Sequence, residues 1–222
     1  YLPVGHQMNN YGHMVAHNDT LYLNTLDPSG TNTLSYYQDQ LIQTYSGSTP
    51  NHIIGENASY WFGNTSVGYV NLQTNYQIGI DNTMPSNHKI LDAKLLPGTD
   101  TLFYTKIDHI GLAYGTSEID SISASNSVQM PAGHPRKLCF DLDGNLWVLF
   151  GNTDCVNSQH KPTYISKYNR STQTWENTTN LVDLLASYTG CANSTLNVEL
   201  EVDPFNNIWL MFICDAVSRY YL

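Results

Sequence analysis

"FDLDGNLWVLF", Phe140 to Phe150, sets a tight polar bend between two apolar runs. Asp, Gly and Asn tolerate the backbone angles of hairpin loops, and the aromatic and aliphatic residues on either side suit buried strands. The bend also carries oxygen ligands at alternate positions, Asp141, Asp143 and Asn145, as calcium loops do. It lacks the downstream bidentate glutamate of such a loop, so the stretch reads as strand, turn, strand.

The same pattern recurs along the chain. "HNDTLYLN" from His17, "GENASYWF" from Gly55, "PGTDTLFY" from Pro97, "DGNLWVLF" from Asp143 and "FNNIWLMF" from Phe205 each place a polar turn before an aromatic-aliphatic strand. Their anchor aromatics, Tyr22, Trp61, Phe103, Trp147 and Trp209, are spaced by 39, 42, 44 and 62 residues, close to one four-stranded unit each. An apolar stretch precedes every turn: "HMVAH", "HIIGE", "AKLLP", "KLCFDL" and "NVELEV". More polar strand candidates follow, such as "GYVNLQTNYQIGI" and "PTYISKYNRSTQTWENTT", the latter a hairpin around "NRST". Inner strands buried on both faces and outer strands facing solvent are the arrangement of a β-propeller.

The expected fold is therefore all-β: one five-bladed β-propeller of four-stranded antiparallel blades over residues 1–222. The blades fall at about 12–50, 51–86, 87–132, 133–192 and 193–222. After Trp209 there is room for one further strand, "VSRYYL", which leaves the last blade one strand short. Residues 1–11 are expected to supply it, in cis, or in trans from a neighbouring molecule, which would link subunits into a filament.

"DLDGNLWVLF" resembles the turn-strand signature of lactonase-type, lyase-type and sensor-type propellers, whose blades carry Asp-Gly-Asn-Leu-Trp; "DPFNNIWLMF" resembles it with the Gly replaced. The resemblance implies a propeller without selecting one of these families. In lactonase-like enzymes a divalent ion sits among acids and amides at the central channel. Glu199, Glu201 and Asp203 alternate with Val198, Leu200 and Val202 and so share one strand face, the place where such a site would form. Three clustered carboxylates are costly without a cation or solvent, and the expected role is a solvated strand end. His13, His52, His88 and His134 stand near repeat starts, but their distances to the turns vary, and they read as polar loop residues rather than a metal-binding ring.

Composition narrows the setting. Only 13% of the 222 residues are charged, yet 19 acids against 9 Lys and Arg give −10 at pH 7, which repels nucleic acid and anionic membranes. No apolar run is long enough to span a bilayer, and the start, "YLPVGHQMNN", has no signal-peptide pattern, so a mature or trimmed chain is expected. Six Asn-x-Ser/Thr sequons, at Asn18, Asn57, Asn64, Asn169, Asn177 and Asn193, are candidate N-glycan acceptors. Cys139, Cys155, Cys191 and Cys214 form an even set without a Cys-x-x-Cys pair, read as two disulfides with three connectivities open. Together these features point to an extracellular, secreted or cell-surface protein.

No catalytic motif is present: neither Gly-x-Ser-x-Gly, nor a phosphate loop, nor a dinucleotide fingerprint, nor His-Glu-x-x-His. No catalytic residue, metal or cofactor is assigned. The expected role is a non-catalytic structural or recognition module of an extracellular assembly, with other extracellular proteins or identical subunits as partners. A lectin is the first alternative and a metal-dependent lactonase-like hydrolase the second. For a lectin, Trp175 and the outer-strand Tyr36, Tyr37, Tyr164 and Tyr168 are the freer stacking platforms, while Trp61, Trp147 and Trp209 are expected to be buried.

Overall fold

The computed structural model describes residues 7–8, 14–17, 20–26, 28–29, 32–38, 41–46, 51–54, 59–62, 66–71, 76–81, 90–124, 134–151, 162–181, 195–214 and 219–221. These residues form antiparallel sheets that follow one another in chain order. The first contains β1 (Gln7–Met8), β2 (Met14–His17), β3 (Thr20–Leu26), β4 (Asn32–Gln38) and β5 (Leu41–Ser46). The second contains β6 (Asn51–Ile54), β7 (Ser59–Phe62), β8 (Val67–Asn71) and β9 (Tyr76–Asp81). The third contains β10 (Ala93–Leu95), β11 (Thr101–Thr105), β12 (His109–Tyr114) and β13 (Ser117–Ser123). The fourth contains β14 (His134–Phe140), β15 (Leu146–Gly151), β16 (Pro162–Asn169) and β17 (Thr174–Asn180). The fifth contains β18 (Thr195–Val202), β19 (Ile208–Cys214) and β20 (Arg219–Tyr221).

Consecutive strands pair within each sheet, as the hairpin signals require. The N-terminal strand departs from expectation. Gln7 pairs with Leu26 and Met8 with Thr25, so β1 continues the line of β2 along one edge of β3. The fifth sheet is three-stranded among the described residues, and the strand expected to complete it belongs to the first sheet instead.

The sheets stack face to face through three apolar layers. Tyr60, Phe62 and Val67 of the second sheet meet Ala93, Leu102, Tyr104 and Ala113 of the third. Phe103 and Ile110, on the opposite face of the third sheet, meet Leu138, Leu146, Val148 and Phe150 of the fourth. Cys139, Leu149 and Ile165 then meet Leu200 of the fifth, with Trp147, Ile208 and Leu210 alongside. The two-residue period of a strand explains the alternation, since successive residues of β11 and β15 serve opposite neighbours. Burying Phe103 or Leu138 stabilises the fold by about 1.5–3 kcal/mol each.

Register identifies which residues are equivalent. Phe103 pairs with Lys94, Trp147 with Cys139 and Trp209 with Glu201, and each partner lies two residues before its turn. Trp61 breaks the series: Tyr60 and Phe62 face the third sheet, so Trp61 points to the other side of β7. Tyr60, 43 residues before Phe103, takes the anchor position instead. The Trp61 indole lies on Gly68, its cross-strand partner, where a Cβ would come within 2.3 Å of the ring. Tyr104 covers Gly111 in the same way at 2.4 Å, which makes Trp61 and Tyr104 the true counterparts. Tyr22 pairs with Val15 and Tyr36 by register; its side chain lies outside the described residues. Trp209 also departs from the expected burial, being 47% exposed, because among the described residues no further sheet covers its face as the fifth covers Trp147.

Candidate functional site

The opening strands β6, β10, β14 and β18 run side by side, and equivalent register positions carry Ile53, Lys94, Cys139 and Glu201. Lys94 Nζ reaches Glu201 Oε1 at 3.1 Å, joining the third sheet to the fifth past the edge of the fourth. The bridge sets the opening strands of the third and fifth sheets close together, on either side of β14. Burial lowers the Lys94 pKa, but the Asp92 and Glu201 carboxylates outweigh it and hold the ammonium above its usual range.

Two residues before Lys94, Asp92 ties the third sheet to the fourth. Its Oδ2 accepts the Leu138 N–H at 2.8 Å and its Oδ1 accepts the Ala93 N–H at 3.0 Å. Burial pushes its pKa up, against the opposing pull of Lys137, these two N–H groups and Lys94. A second network, buried at Asp81 and open at Glu118, links the second and third sheets: Lys106 Nζ lies 2.7 Å from Asp81 Oδ2 and 3.3 Å from Glu118 Oε1. The Tyr104 hydroxyl donates to Glu118 Oε2 at 2.8 Å, and its pKa is raised by burial and by these carboxylates. Each group is partnered, as buried charge requires.

Of the carboxylates singled out as a metal candidate, Glu201 and Asp203 are engaged separately. Glu201 is bound to Lys94, and Asp203 organises a turn: its Oδ1 accepts the Phe205 and Asn207 N–H groups at 2.9 Å each, and its Oδ2 accepts Asn207 Nδ2 at 2.8 Å and Trp209 Nε1 at 2.9 Å. These bonds, chiefly from the Asn207 and Trp209 side chains, hold its carboxyl down at about 2. The Glu199 side chain lies outside the described residues, and among those described no group of three or more His, Cys, Asp or Glu is placed to hold a metal.

Asp141 repeats the arrangement 62 residues earlier. Its oxygens accept the Asp143 and Asn145 N–H groups, Asn145 Nδ2 and Trp147 Nε1, and Lys167 Nζ stands at 3.1 Å. Burial raises the Asp141 pKa, but the Asn145 bonds, Lys167 and Trp147 outweigh it and leave the carboxyl below its usual value. Donors from the hairpin and Lys167 thus engage the Asp141 oxygens that a calcium ion would need. Both hairpins are three-residue loops closed on a left-handed residue, Gly144 at φ 77° and Asn206 at φ 67°, the two residue types that tolerate this angle. The loops also touch, as the Leu142 N–H donates to Asn206 Oδ1 at 2.8 Å. Leu142 and Phe205 at their tips are 64% and 84% exposed.

Other expected sites fall as follows. Cys139 is a free, buried thiol among the described residues; it faces the core opposite Trp147, and burial, with the Glu201 carboxylate, pushes its pKa up to about 12. Cys155 and Cys191 lie outside the described residues, as does the Cys214 side chain. Trp175, Tyr164 and Tyr168 are not open platforms: they pack against the core between the third and fourth sheets, and Trp175 Nε1 donates to the Ser123 carbonyl at 3.0 Å. The Tyr36 and Tyr37 side chains lie outside the described residues. His134 Nδ1 donates to the Ile107 carbonyl, joining the third and fourth sheets. His13 and His88 are outside the described residues, as is the His52 side chain. Of the sequons, Asn169 ends β16 and Asn177 lies in β17, with its side chain outside the described set; Asn18, Asn57, Asn64 and Asn193 also lie outside it.

Lys94, Asp92 and the Lys106 network escaped sequence reasoning. A lysine inside the apolar "AKLL" run, two places before its turn as Glu201 is, was the available signal.

Comparison with solved structures places this geometry. A chain of a nidogen/laminin complex matches with a TM-score of 0.54 at 11% identity, over 92% of this chain and 75% of that one. The extracellular domain of a one-component system from B. thetaiotaomicron matches with a TM-score of 0.55 at 8% identity, over 94% of this chain and 32% of that one. A chain of a mitotic checkpoint complex matches with a TM-score of 0.55 at 10% identity, over 92% and 65%. The fold is β-propeller-like. Identities this low speak for the fold alone. No family model and no curated protein matches the chain. Among the described residues, no helix is long and apolar enough to cross a membrane.

Proposed function

We propose that this chain is a secreted, N-glycosylated, five-bladed propeller that serves as a non-catalytic structural or recognition module of an extracellular assembly. The exposed face of the fifth sheet carries the reading. Trp209 stands on the side that the next sheet covers in the third and fourth sheets, and Phe205 and Leu142 extend the apolar surface across the two joined turns. An apolar patch of this kind is where a protein surface meets another. In the reading favoured here the first sheet of the same chain covers Trp209 and closes the ring; in the alternative, the first sheet of a neighbouring copy does so and builds a polymer. The sequons support the compartment.

The test is the mass in solution of the full chain and of Trp209→Ser, with their melting temperatures. Closure within the chain predicts a monomer whose melting temperature falls in the variant. Closure between copies predicts an oligomer that the variant converts to monomer. A monomer with unchanged melting temperature in Trp209→Ser would show the face to be uncovered and would sink the proposal. The compartment is tested separately, by asking whether the native coding sequence delivers the protein to the medium of cultured eukaryotic cells.

A further inference from the structure

The fourth sheet carries an open notch of about 450 Å³ between its two turns, lined by Asp143, Gly144, Asn145, Asn169, Arg170 and Ser171. That volume lies within the roughly 300–1,000 Å³ typical of ligand clefts. The wall is polar, offering a carboxylate, two carboxamides, a guanidinium and a hydroxyl. Half of the wall is a sequon, Asn169-Arg170-Ser171. The turn that follows Asn169 is exposed from Arg170 to Thr174, as a glycan acceptor must be.

The sequon is held firmly. Asn169 Oδ1 accepts the Ser171 N–H at 3.0 Å, the Ser171 hydroxyl at 2.7 Å and the Thr172 N–H at 3.2 Å. Asn169 Nδ2 donates to Glu176 Oε1 at 2.9 Å, which engages one of its two hydrogens. Arg170 reaches across the notch to the Gly144 carbonyl at 3.2 Å, and its guanidinium carbon lies 5.8 Å from the Phe103 ring centroid. The acceptor asparagine is thus fixed at the mouth of a cavity whose lining can hydrogen-bond sugar hydroxyls.

We propose that Asn169 carries an N-linked glycan whose first sugar seats in this notch. The inference rests on the secretory reading above. In the transfer, Asn169 Nδ2 forms a bond to the sugar C1 of a lipid-pyrophosphate-linked oligosaccharide; the C1–O bond to pyrophosphate breaks and one amide proton leaves. The seated sugar then bridges the two turns through Asp143, Asn145 and Arg170, and so stabilises the fourth sheet.

The test uses the full chain driven through the secretory pathway of a eukaryotic host by an added signal peptide, so that its native routing is not at issue. Amidase release of glycans in heavy-oxygen water converts each occupied asparagine to a labelled aspartate, read by peptide mass spectrometry. The expected result is label at Asn169, lost at that position alone in Ser171→Ala. Trimming the glycans to one proximal sugar should keep the melting temperature, while Ser171→Ala should lower it by a few degrees. The same variant made in a non-glycosylating host, beside wild type from that host, corrects for the lost hydroxyl contact. Label at other sequons with Asn169 bare would overturn this inference and leave the secretory reading intact. Label nowhere would overturn the inference and the glycoprotein reading together. Label at Asn169 without a stability difference would remove the seat.

Discussion

The β14–β15 and β18–β19 hairpins repeat one design in two settings. Asp141, Asn145 and Trp147 recur as Asp203, Asn207 and Trp209, with the same hydrogen bonds and a left-handed residue at the same loop position, Gly144 in one and Asn206 in the other. Yet Asp141 is buried and paired with Lys167, and its Trp is packed by the fifth sheet, whereas Asp203 has no buried charge partner among the described residues and Trp209 is 47% exposed. Local chemistry forms the hairpin in both places. Burial comes from the neighbouring sheet, so it belongs to the stack and not to the motif.

The comparison sharpens first through the anchors. Phe103→Ala should cost about 3–5 kcal/mol, because Phe103 is 1% exposed between two sheets and leaves a cavity. Trp147→Ala should approach that value, and Trp209→Ala should approach it too once the first sheet closes over that face, as read from denaturant midpoints. A loss less than half as large would mean that the Trp209 face stays as open as its 47% exposure. Equal losses at Trp147 and Trp209 would mean that the fifth sheet is covered as fully as the fourth.

A smaller contrast is expected at the aspartates. Asp141→Ala strands Lys167 and several N–H donors beside the core and should cost about 2–4 kcal/mol. Asp203→Ala removes the same bonds in open solvent, where water replaces them, and should be clearly milder by thermal melting. If the two substitutions prove equally severe, the turn bonds themselves, and not burial, hold the hairpins.

The smallest effect is a pH dependence. Both carboxyls are held below their unfolded value, so their contribution is complete above the ordinary carboxylate range and is lost as pH falls through the folded value, about 2 for Asp203. Melting temperature should therefore decline between roughly pH 4 and pH 2. Asp203→Asn should flatten part of that decline, and an unchanged slope would show that the turn does not bind its carboxylate preferentially in the charged form.

Some of this was legible in the residues. "DLDGNLW" and "DPFNNIW" announce their turns because Asp, Gly and Asn occupy the positions that need a side-chain acceptor and a left-handed backbone. The strand pairing followed from them. "SYWF" was misread by one place, since adjacent aromatics give no sign of which faces the next sheet and a shift of one residue reverses every side chain. Counting four cysteines says nothing of where each one stands; the register that sets Cys139 opposite Trp147 is what places it in the core. The Lys94–Glu201 bridge joins positions 107 residues apart, and no local periodicity carries that distance.

That bridge also offers the most direct test of convergence about one axis. Zero-length carbodiimide coupling, which joins only amines and carboxylates already in contact, should link the peptide holding Lys94 to the peptide holding Glu201. The link should disappear in Glu201→Gln while Lys106–Glu118 coupling persists. Recovery of the Lys106–Glu118 link without any Lys94–Glu201 link would contradict an arrangement in which the third, fourth and fifth sheets share an axis.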